Sequence, residues 1–204
     1  MSAIKNIVFD FGKVLVDYDF DRFLSTIIED KQERDAFAAL TCSKEYVDRT
    51  DKGDETFREI IRQTQVLYPH WKKELQEFHD RQIECITGEV PGMRELIMEL
   101  KSMGYGIYGL TNWSETVYKV IEKYSILQLM DARIVSSEER LIKPERAIYD
   151  RLCQKFGLNA SECLFTDDKP ANVEGAIAAG MHALLFKDAA TFRKELFALI
   201  GANK

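Results

Sequence analysis

Hydrophobic residues recur in two distinct patterns along this chain. From Met93 onward, short apolar runs of strand length alternate with longer stretches in which apolar residues recur at helical spacing. This part of the pattern predicts, in order, helix 93–103, strand 105–110, helix 114–123, strand 132–135, helix 145–156, strand 163–166, helix 171–179, strand 182–186 and helix 190–199. Alternation of this kind implies right-handed crossovers and a parallel sheet with helices on both faces.

The N-terminal part of the chain combines one short strand with a long helical stretch. Residues 4–9 have the pattern of a buried strand, whereas between residues 20 and 88 apolar residues recur at helical spacing and no strand pattern is convincing. We therefore predict a doubly wound α/β core formed by residues 1–18 and 90–204, with a small all-helical domain, residues 19–89, inserted into it.

Length and charge restrict the kinds of partner that this protein can bind. The 204 residues fit one domain plus an insert, and a content of 46% hydrophobic and 30% charged residues is ordinary for a globular protein. The net charge of −6 argues against a nucleic-acid partner, because proteins that bind nucleic acid usually carry a basic surface. We expect a monomer or a weak homodimer that acts on a small molecule.

The cysteines and the absence of long apolar segments predict a cytoplasmic protein. Cys42, Cys85, Cys153 and Cys163 form no C-x-x-C pair, so buried free thiols are the preferred interpretation over disulfides or a zinc site. Free thiols fit a reducing compartment. The N-terminus resembles no signal peptide and no apolar run approaches 18 residues, so we expect neither export nor membrane insertion.

Polar side chains follow four of the predicted strands. They are Asp10, Thr111, the pair Asp167 and Asp168, and, a few residues beyond strand 132–135, Lys143. Because the carboxyl ends of parallel strands line one crevice, we expect these groups to converge there. A carboxylate, a hydroxyl, an ammonium and two further carboxylates would suit a nucleophile, a cradle for anionic oxygens and a site for a hard cation.

Each of these signals also has a local explanation. Asp10 could simply cap a turn, Thr111 could cap a helix, and a lone lysine is usually a solvated surface charge. The pair Asp167 and Asp168 is harder to explain structurally, because adjacent like charges repel and call for a cation or strong donors. Pro144 is predicted in the first turn of the following helix, which would fix the direction of the Lys143 side chain.

Taken together, the motifs resemble those of a known superfamily. The order Asp10-x-Gly12, Thr111-Asn112, Lys143-Pro144 and Asp167-Asp168, followed by Asn172-x-x-Gly175-Ala176, resembles the four motifs of the haloacid dehalogenase-like (HAD) hydrolases. The stretches FDFGKVLVD, GLTNWS, RLIKPERAIY and LFTDDKPANVEGAIAAGM are similar to subfamily IA, in particular to the α-D-glucose-1-phosphate phosphatase branch. The resemblance implies a Rossmann-like core and a helical cap over the catalytic cleft, which agrees with the predicted insert.

The resemblance also implies roles for these residues. Asp10 would be the nucleophile that forms an aspartyl-phosphate, and Mg²⁺ would be held by Asp10, the Gly12 carbonyl and Asp168, with Asp167 assisting directly or through water. The phosphoryl oxygens would be stabilised by Thr111, the Asn112 backbone and Lys143.

The sequence departs from the usual superfamily pattern at Gly12, where many of these phosphatases carry a second Asp as general acid and base. That group is typically worth ~10²–10⁴ in rate, so either activity is slow or another group, such as Asp17 or a metal-bound water, substitutes. The same departure keeps a 2-haloacid dehalogenase open as an alternative, since that reaction also lacks the second Asp. A non-catalytic relative that binds a phosphorylated ligand is the other alternative, and a phosphosugar mutase is less favoured.

The inserted segment must choose the substrate, because the core motifs recognise only phosphate. We predict a magnesium-dependent phosphatase of a small phosphorylated metabolite, with a sugar phosphate as the first candidate. The polar run 41–53 could face the cleft or could be a solvated loop between helices. Tyr46 and Arg49 are candidate contacts to the leaving group, and Trp113 is a candidate to stack on a sugar ring.

Overall fold

The computed structural model describes residues 3–201, which form seven strands and eleven α-helices. The strands are β1 Asn6–Phe9, β2 Val16–Tyr18, β3 Ile86–Glu89, β4 Gly106–Thr111, β5 Ala132–Val135, β6 Cys163–Asp167 and β7 His182–Leu185. The helices are α1 Phe20–Ser25, α2 Lys31–Thr41, α3 Lys44–Lys52, α4 Phe57–Leu67, α5 Lys72–Arg81, α6 Met93–Ser102, α7 Val117–Lys123, α8 Ser136–Glu139, α9 Arg146–Phe156, α10 Pro170–Ala178 and α11 Ala189–Gly201.

Five of the strands form a parallel sheet in the order β5-β4-β1-β6-β7. The central strand β1 is buried, and its last residue, Phe9, lies opposite Gly109 of β4 on one side and Thr166 of β6 on the other. This register brings the carboxyl ends of the three central strands to the same edge of the sheet. The residues that follow these strands therefore emerge close together.

Helices cover both faces of the sheet, as the alternation of strands and helices predicts. On one face Ile7 and Phe9 pack in a cluster that includes Phe192 of α11, and the ring centroids of Phe9 and Phe192 are 6.0 Å apart. On the other face Val8 belongs to a second cluster that includes Tyr149 of α9. Successive residues of β1 thus point to opposite faces, and each face is closed by its own helices.

Along the chain, helices α1–α5 follow β2 and precede β3, and these two strands pair as a small antiparallel sheet. Their centre is aromatic: the Phe37 ring lies 5.4 Å from that of Trp71 and 5.8 Å from that of Phe78, which is also 5.8 Å from Phe57. These ring pairs are edge-to-face, an arrangement that aromatic side chains prefer, and they stabilise the packing of these helices. We call residues 20–85 the cap.

The predicted fold class is confirmed: a doubly wound parallel-sheet core carries an inserted helical cap. The strand β3 differs from the prediction of a helical stretch up to residue 88, because Ile86 to Glu89 pair with β2. Helix α7 begins at Val117, three residues later than predicted, and α9 begins at Arg146, so Pro144 precedes that helix and does not lie in its first turn. The domain boundaries at residues 18 and 90 stay a prediction.

All four cysteines carry free thiols, as predicted, but only Cys85 and Cys163 are buried and Cys42 is exposed. Within residues 3–201, no helix combines the length and the apolar character that crossing a membrane requires.

Candidate active site

The predicted site residues of the core meet at the carboxyl edge of the sheet. Asp10 follows β1, Thr111 ends β4, and Asp167 ends β6, with Asp168 next to it. Lys143 reaches the same place from the loop between α8 and α9. Four of these five side chains belong to buried residues, and Asp168 is half-buried.

Lys143 lies between two of the carboxylates. Its Nζ is 2.8 Å from Asp10 Oδ1 and 2.6 Å from Asp167 Oδ2, and residue 143 is only 4% exposed. Burial opposes the charge on this ammonium, but the carboxylates of Asp10 and Asp167 outweigh it and raise the pKa of Lys143. The lysine therefore stays charged at the point where it would meet an anionic substrate.

The backbone of Lys143 is held by the side chain of Asn112. The Asn112 amide donates from Nδ2 to the Lys143 carbonyl at 3.0 Å and accepts from the Lys143 N–H at Oδ1, 2.9 Å away. The Lys143–Pro144 peptide is cis. The prediction that Pro144 fixes this lysine from the first turn of a helix was wrong, because Pro144 precedes that helix. The hydrogen bonds that hold residue 143 come instead from the loop after β4.

Asp167 is the most heavily hydrogen-bonded acid of the site. Besides Lys143, its oxygens accept from Asn172 Nδ2 at 2.9 Å and from the Lys169 N–H at 2.9 Å. Burial raises the pKa of this carboxyl, but the charge of Lys143 and these donors outweigh burial and lower it. Asp167 is therefore an ionised carboxylate that also orients Lys143.

Asp10 and Asp168 have fewer hydrogen-bond donors around them than Asp167 to offset the effect of burial. Burial raises the pKa of Asp10 to about 6, although Lys143 opposes the rise. Burial, followed by the negative charge of Asp167, also raises the pKa of Asp168. Two carboxyls whose ionised forms are disfavoured by burial would be stabilised by a positive charge between them.

The three carboxyls fit a hard cation. One oxygen from each of Asp10, Asp167 and Asp168 lies within 4.8 Å of the others, and oxygen ligands with excess negative charge are what Mg²⁺ prefers. Nearby, the Thr111 Oγ1 is buried and has no hydrogen-bond partner within residues 3–201. A buried hydroxyl in this condition is suited to a ligand oxygen, because leaving it unpaired is costly.

A cavity of about 510 Å³ opens over these groups and is lined by residues of both the core and the cap. Its lining includes, from the core, Asp10, Gly12, Thr111, Asn112, Trp113, Lys143 and Asp168, and from the cap, Thr41, Cys42, Tyr46, Thr50, Asp51 and Phe57. This volume is in the range of sites that bind small molecules. The core therefore supplies the charged floor and the cap supplies most of the roof.

Of the three residues predicted to contact the leaving group or the sugar ring, two line the cavity and one does not. Tyr46 and Trp113 both line the cavity, although the Tyr46 residue is largely buried and its hydroxyl lies 3.3 Å from Thr64 Oγ1. Arg49 is not among the lining residues that the structure describes. Its guanidinium instead pairs with Glu55 at 2.6 Å on the surface of the cap, so the prediction for Arg49 was wrong.

Asp17, the suggested substitute for the missing acid, also lies elsewhere. Its carboxylate is 52% exposed and accepts a hydrogen bond from Lys13 Nζ at 2.6 Å, which lowers the pKa of Asp17. It is not among the described residues that line the cavity. Beside Gly12 the space is taken by Tyr18, whose Cε1 would lie 3.1 Å from a Cβ added at residue 12.

Two residues outside the predicted site contribute to the arrangement. Asn172 belongs to the quoted motif, and it both donates to Asp167 and, through its carbonyl, accepts from the Tyr149 hydroxyl at 2.8 Å. Asp51 of α3 lines the cavity from the cap. The motif spacing could have identified Asn172, whereas nothing in the sequence distinguishes Asp51 from the other acids of its helix.

The chain is similar to known proteins over about half of its length. The sesquiterpene phosphatase astK of Aspergillus oryzae is 32% identical over 110 residues, which are 53% of this chain and 56% of that protein. The flavin mononucleotide hydrolase 1 of Arabidopsis thaliana is 31% identical over 106 residues, or 52% of this chain and 43% of that protein. The chain thus spans about half the length of these relatives.

The fold also occurs in solved structures. An enzyme from Bacteroides thetaiotaomicron, solved as a magnesium complex, superposes with a TM-score of 0.75 at 19% identity, over 96% of this chain and 99% of that one. At this level of identity the similarity shows the fold alone. Residues 4–180 match the family described as haloacid dehalogenase-like hydrolase, and because this match covers most of the chain, the protein belongs to that family.

Proposed function

We propose that this protein is a magnesium-dependent phosphatase that hydrolyses a small phosphorylated metabolite through an aspartyl-phosphate intermediate. The observation that carries the proposal is the position of Lys143, whose buried ammonium contacts Asp10 on the floor of the cavity and Asp167 beneath it. A charged donor beside a carboxylate nucleophile offsets the repulsion between that carboxylate and a phosphate dianion.

In this proposal Mg²⁺ is held by Asp10, the carbonyl of Gly12 and Asp168, and Asp167 contributes directly or through water. When bound, the ion would neutralise charge on the phosphoryl oxygens and on the clustered carboxylates. The close approach of the three carboxyls, which leaves excess negative charge in a buried place, supports this assignment.

The residues of the chain perform the chemistry. An oxygen of the Asp10 carboxylate attacks phosphorus and the bond from phosphorus to the leaving oxygen breaks, which gives an aspartyl-phosphate that water later hydrolyses. The hydroxyl of Thr111, the backbone N–H of Asn112 and the ammonium of Lys143 donate to the phosphoryl oxygens, whose charge they stabilise. Asn112 also holds Lys143 in place through its side chain.

The size of the cavity supports a small substrate. A volume of about 510 Å³ admits a sugar phosphate or a ligand of similar size and excludes a folded macromolecule. Trp113 offers an aromatic surface in the lining on which a sugar ring could stack. Both relatives described above are named for hydrolysis of phosphorylated small molecules, and a sugar phosphate of the α-D-glucose-1-phosphate type is our first candidate for this chain.

A 2-haloacid dehalogenase is the second candidate, and the absence of a side-chain acid at Gly12 favours it. Attack of Asp10 on carbon with departure of halide needs no cation, however, so it gives no reason for two further carboxyls beside the nucleophile. A non-catalytic protein that binds a phosphorylated ligand gives no reason for the buried contact between Asp10 and Lys143. We therefore rank both below the phosphatase.

The test is phosphate release from a panel of sugar and nucleotide monophosphates, with and without Mg²⁺. We expect release that requires Mg²⁺ and that Asp10→Asn abolishes, since the amide oxygen is a poor nucleophile. Release that survives this substitution would contradict the proposed nucleophile. If the protein released halide from 2-haloacids and released no phosphate from the panel, the dehalogenase would be established instead.

A further inference from the structure

Asp51 is a cap carboxyl that has no role in the mechanism above. It lies near the C-terminal end of α3, and its half-buried side chain lines the same cavity as Asp10, Thr111 and Lys143.

The end of α3 is fixed to the core by hydrogen bonds of its backbone. Ser136 Oγ donates to the carbonyl of Asp51 at 2.5 Å and accepts from the Trp113 N–H at 2.9 Å. Two residues beyond Asp51, Gly53 adopts a φ of 79°, and a Cβ there would lie 2.2 Å from the Ser137 carbonyl oxygen. The backbone of the cap thus contacts α8 directly, where no side chain fits.

A third contact joins the next helix of the cap to the core. The N–H of Phe57, in the first turn of α4, donates to Glu115 at 3.0 Å. Together with the contacts of Ser136 and Gly53, this bond holds the corner between α3 and α4 against the core. Asp51 is therefore held over the cavity by its backbone, and none of these three contacts involves its carboxyl.

Most of the charges around Asp51 belong to the core side of the cavity, and one, Asp48, lies on its own helix. Its carboxyl interacts with Lys169, Asp48, Asp10 and Lys143, and it also influences the hydroxyl of Tyr18. Burial raises the pKa of Asp51 to about 7, with Lys169 opposing the rise. A carboxyl that titrates near the working pH can both donate and accept a proton.

The other acids near the site have different partners or roles. Asp10 and Asp168 are assigned to attack and to the cation. Asp48, one turn before Asp51, forms an ion pair with Lys44. Asp17 pairs with Lys13 on the surface, as described above.

We infer that Asp51 is the general acid and base of the reaction and replaces the acid that is missing at Gly12. This inference rests on the proposed phosphatase function. As the bond from phosphorus to the leaving oxygen breaks, its electron pair stays on that oxygen, which takes the proton of the Asp51 carboxyl. In the second step the ionised Asp51 takes a proton from water while the water oxygen bonds to phosphorus. The bond from phosphorus to Asp10 then breaks, its electron pair returns to the carboxylate, and both side chains regain their starting states.

The inference is tested with Asp51→Asn in the full-length protein with Mg²⁺, by measuring the first turnover. The two substrates are p-nitrophenyl phosphate, whose leaving group needs no proton, and the hexose phosphate that the wild type hydrolyses best. We expect first-turnover release from the hexose phosphate to slow by ~10²–10⁴, while release of nitrophenol in the first turnover stays within a few-fold of wild type. Because the base of the second step is also lost, the aspartyl-phosphate should accumulate and be detected by intact-protein mass.

Asp54→Asn is the matched control, since Asp54 lies just beyond the same helix, is exposed and pairs only loosely with Lys52 at 3.4 Å. It should leave both rates unchanged. The pH dependence of the wild type is an independent test. The rate of first-turnover release from the hexose phosphate should fall as pH rises through about 7, because the protonated form of Asp51 is lost. The rate of nitrophenol release should not show this fall.

Equal slowing of both substrates by Asp51→Asn, or an unchanged rate with the hexose phosphate, would overturn the role of Asp51 and leave the phosphatase intact. If the wild type releases phosphate from no substrate in the panel, the proposed function fails, and the inference fails with it. These two failures are therefore distinguishable in the same experiment.

Discussion

The side chain of Asn112 bonds to both backbone groups of Lys143, 31 residues further along the chain. Its amide replaces the partners that a helix or strand would otherwise provide for the N–H and the carbonyl of residue 143. The loop that carries the lysine is thereby attached to the end of β4, the strand that also supplies Thr111. The hydroxyl of Thr111 and the ammonium of Lys143, two of the three groups that would contact the phosphoryl oxygens, are thus positioned by one strand.

Replacing Asn112 by Ala should destabilise the protein and reduce its activity. Two hydrogen bonds of a neutral amide are lost, so the free energy of unfolding should fall by about 1–3 kcal/mol in a urea titration. The freed loop no longer fixes Lys143, and kcat should fall more than KM rises, because the charge of the transition state loses its donor. A variant with unchanged kcat would show that Lys143 is positioned by other contacts.

The buried charges around Lys143 make a second prediction about stability. Lys143→Met should lower the free energy of unfolding by about 3–5 kcal/mol, since it leaves Asp10 and Asp167 close together without their cation. Adding Asp167→Asn removes one of these charges, so the double variant should lose less than the sum of the two single losses.

Lys5→Met provides the comparison for that measurement. Lys5 pairs with Glu162 at 2.6 Å, but its side chain is 63% exposed, so the loss should be below about 1 kcal/mol. If Lys143→Met were as mild as Lys5→Met, or the double variant strictly additive, the buried cluster would not be coupled as its geometry indicates.

Magnesium should stabilise the protein in the absence of any substrate. An ion that binds the native state alone contributes about 2.7 kcal/mol at a hundredfold excess over Kd, which a thermal melt resolves as a higher Tm. Asp168→Asn should remove most of this rise. Asp35→Asn, which alters an exposed acid of α2 paired with Lys31, should keep it. An equal rise in both variants would place the ion away from the carboxyl cluster.

Much of the core could be predicted because its signals are local. Strands such as β5 are short apolar runs, and their predicted limits were right or differed by a few residues. The strand β3 was missed because Ile86 to Glu89 include a glycine and form a strand only by pairing with β2, nearly seventy residues earlier. Pairing between distant segments cannot be read from a periodicity of neighbouring residues.

The candidate site also has a part that the sequence indicates, in the core, and a part that it does not indicate, in the cap. The positions of Asp10, Thr111 and Asp167 follow from the rule that strand ends converge, which is why the sequence indicates them. The cap gives no such rule. On α3, Arg49 and Asp51 lie two residues apart in the same polar run, and only the docking of the helix on Ser136 determines which of them faces the cavity.

The approach of α10 to the lysine loop leads to the last prediction. Gly175 lies within α10, and a Cβ there would be 2.6 Å from the Pro144 carbonyl oxygen and 3.0 Å from the Tyr149 hydroxyl. Alanine is the better helix former by about 1 kcal/mol, but overpacking against a backbone atom costs typically about 1–3 kcal/mol. The atom in the way is a backbone atom of the residue that follows Lys143, whose backbone Asn112 holds, so it is less free to move aside than the end of a side chain. We therefore expect Gly175→Ala to lower the free energy of unfolding in urea and to reduce kcat by displacing Lys143.

The comparison variant is Gly201→Ala at the end of α11, where an added Cβ would meet no atom of the described residues within 4 Å. It should leave both quantities at least as high as in the wild type. A stabilised Gly175→Ala protein with full activity would show that α10 can move away from the loop, and that the position of Lys143 does not depend on this contact.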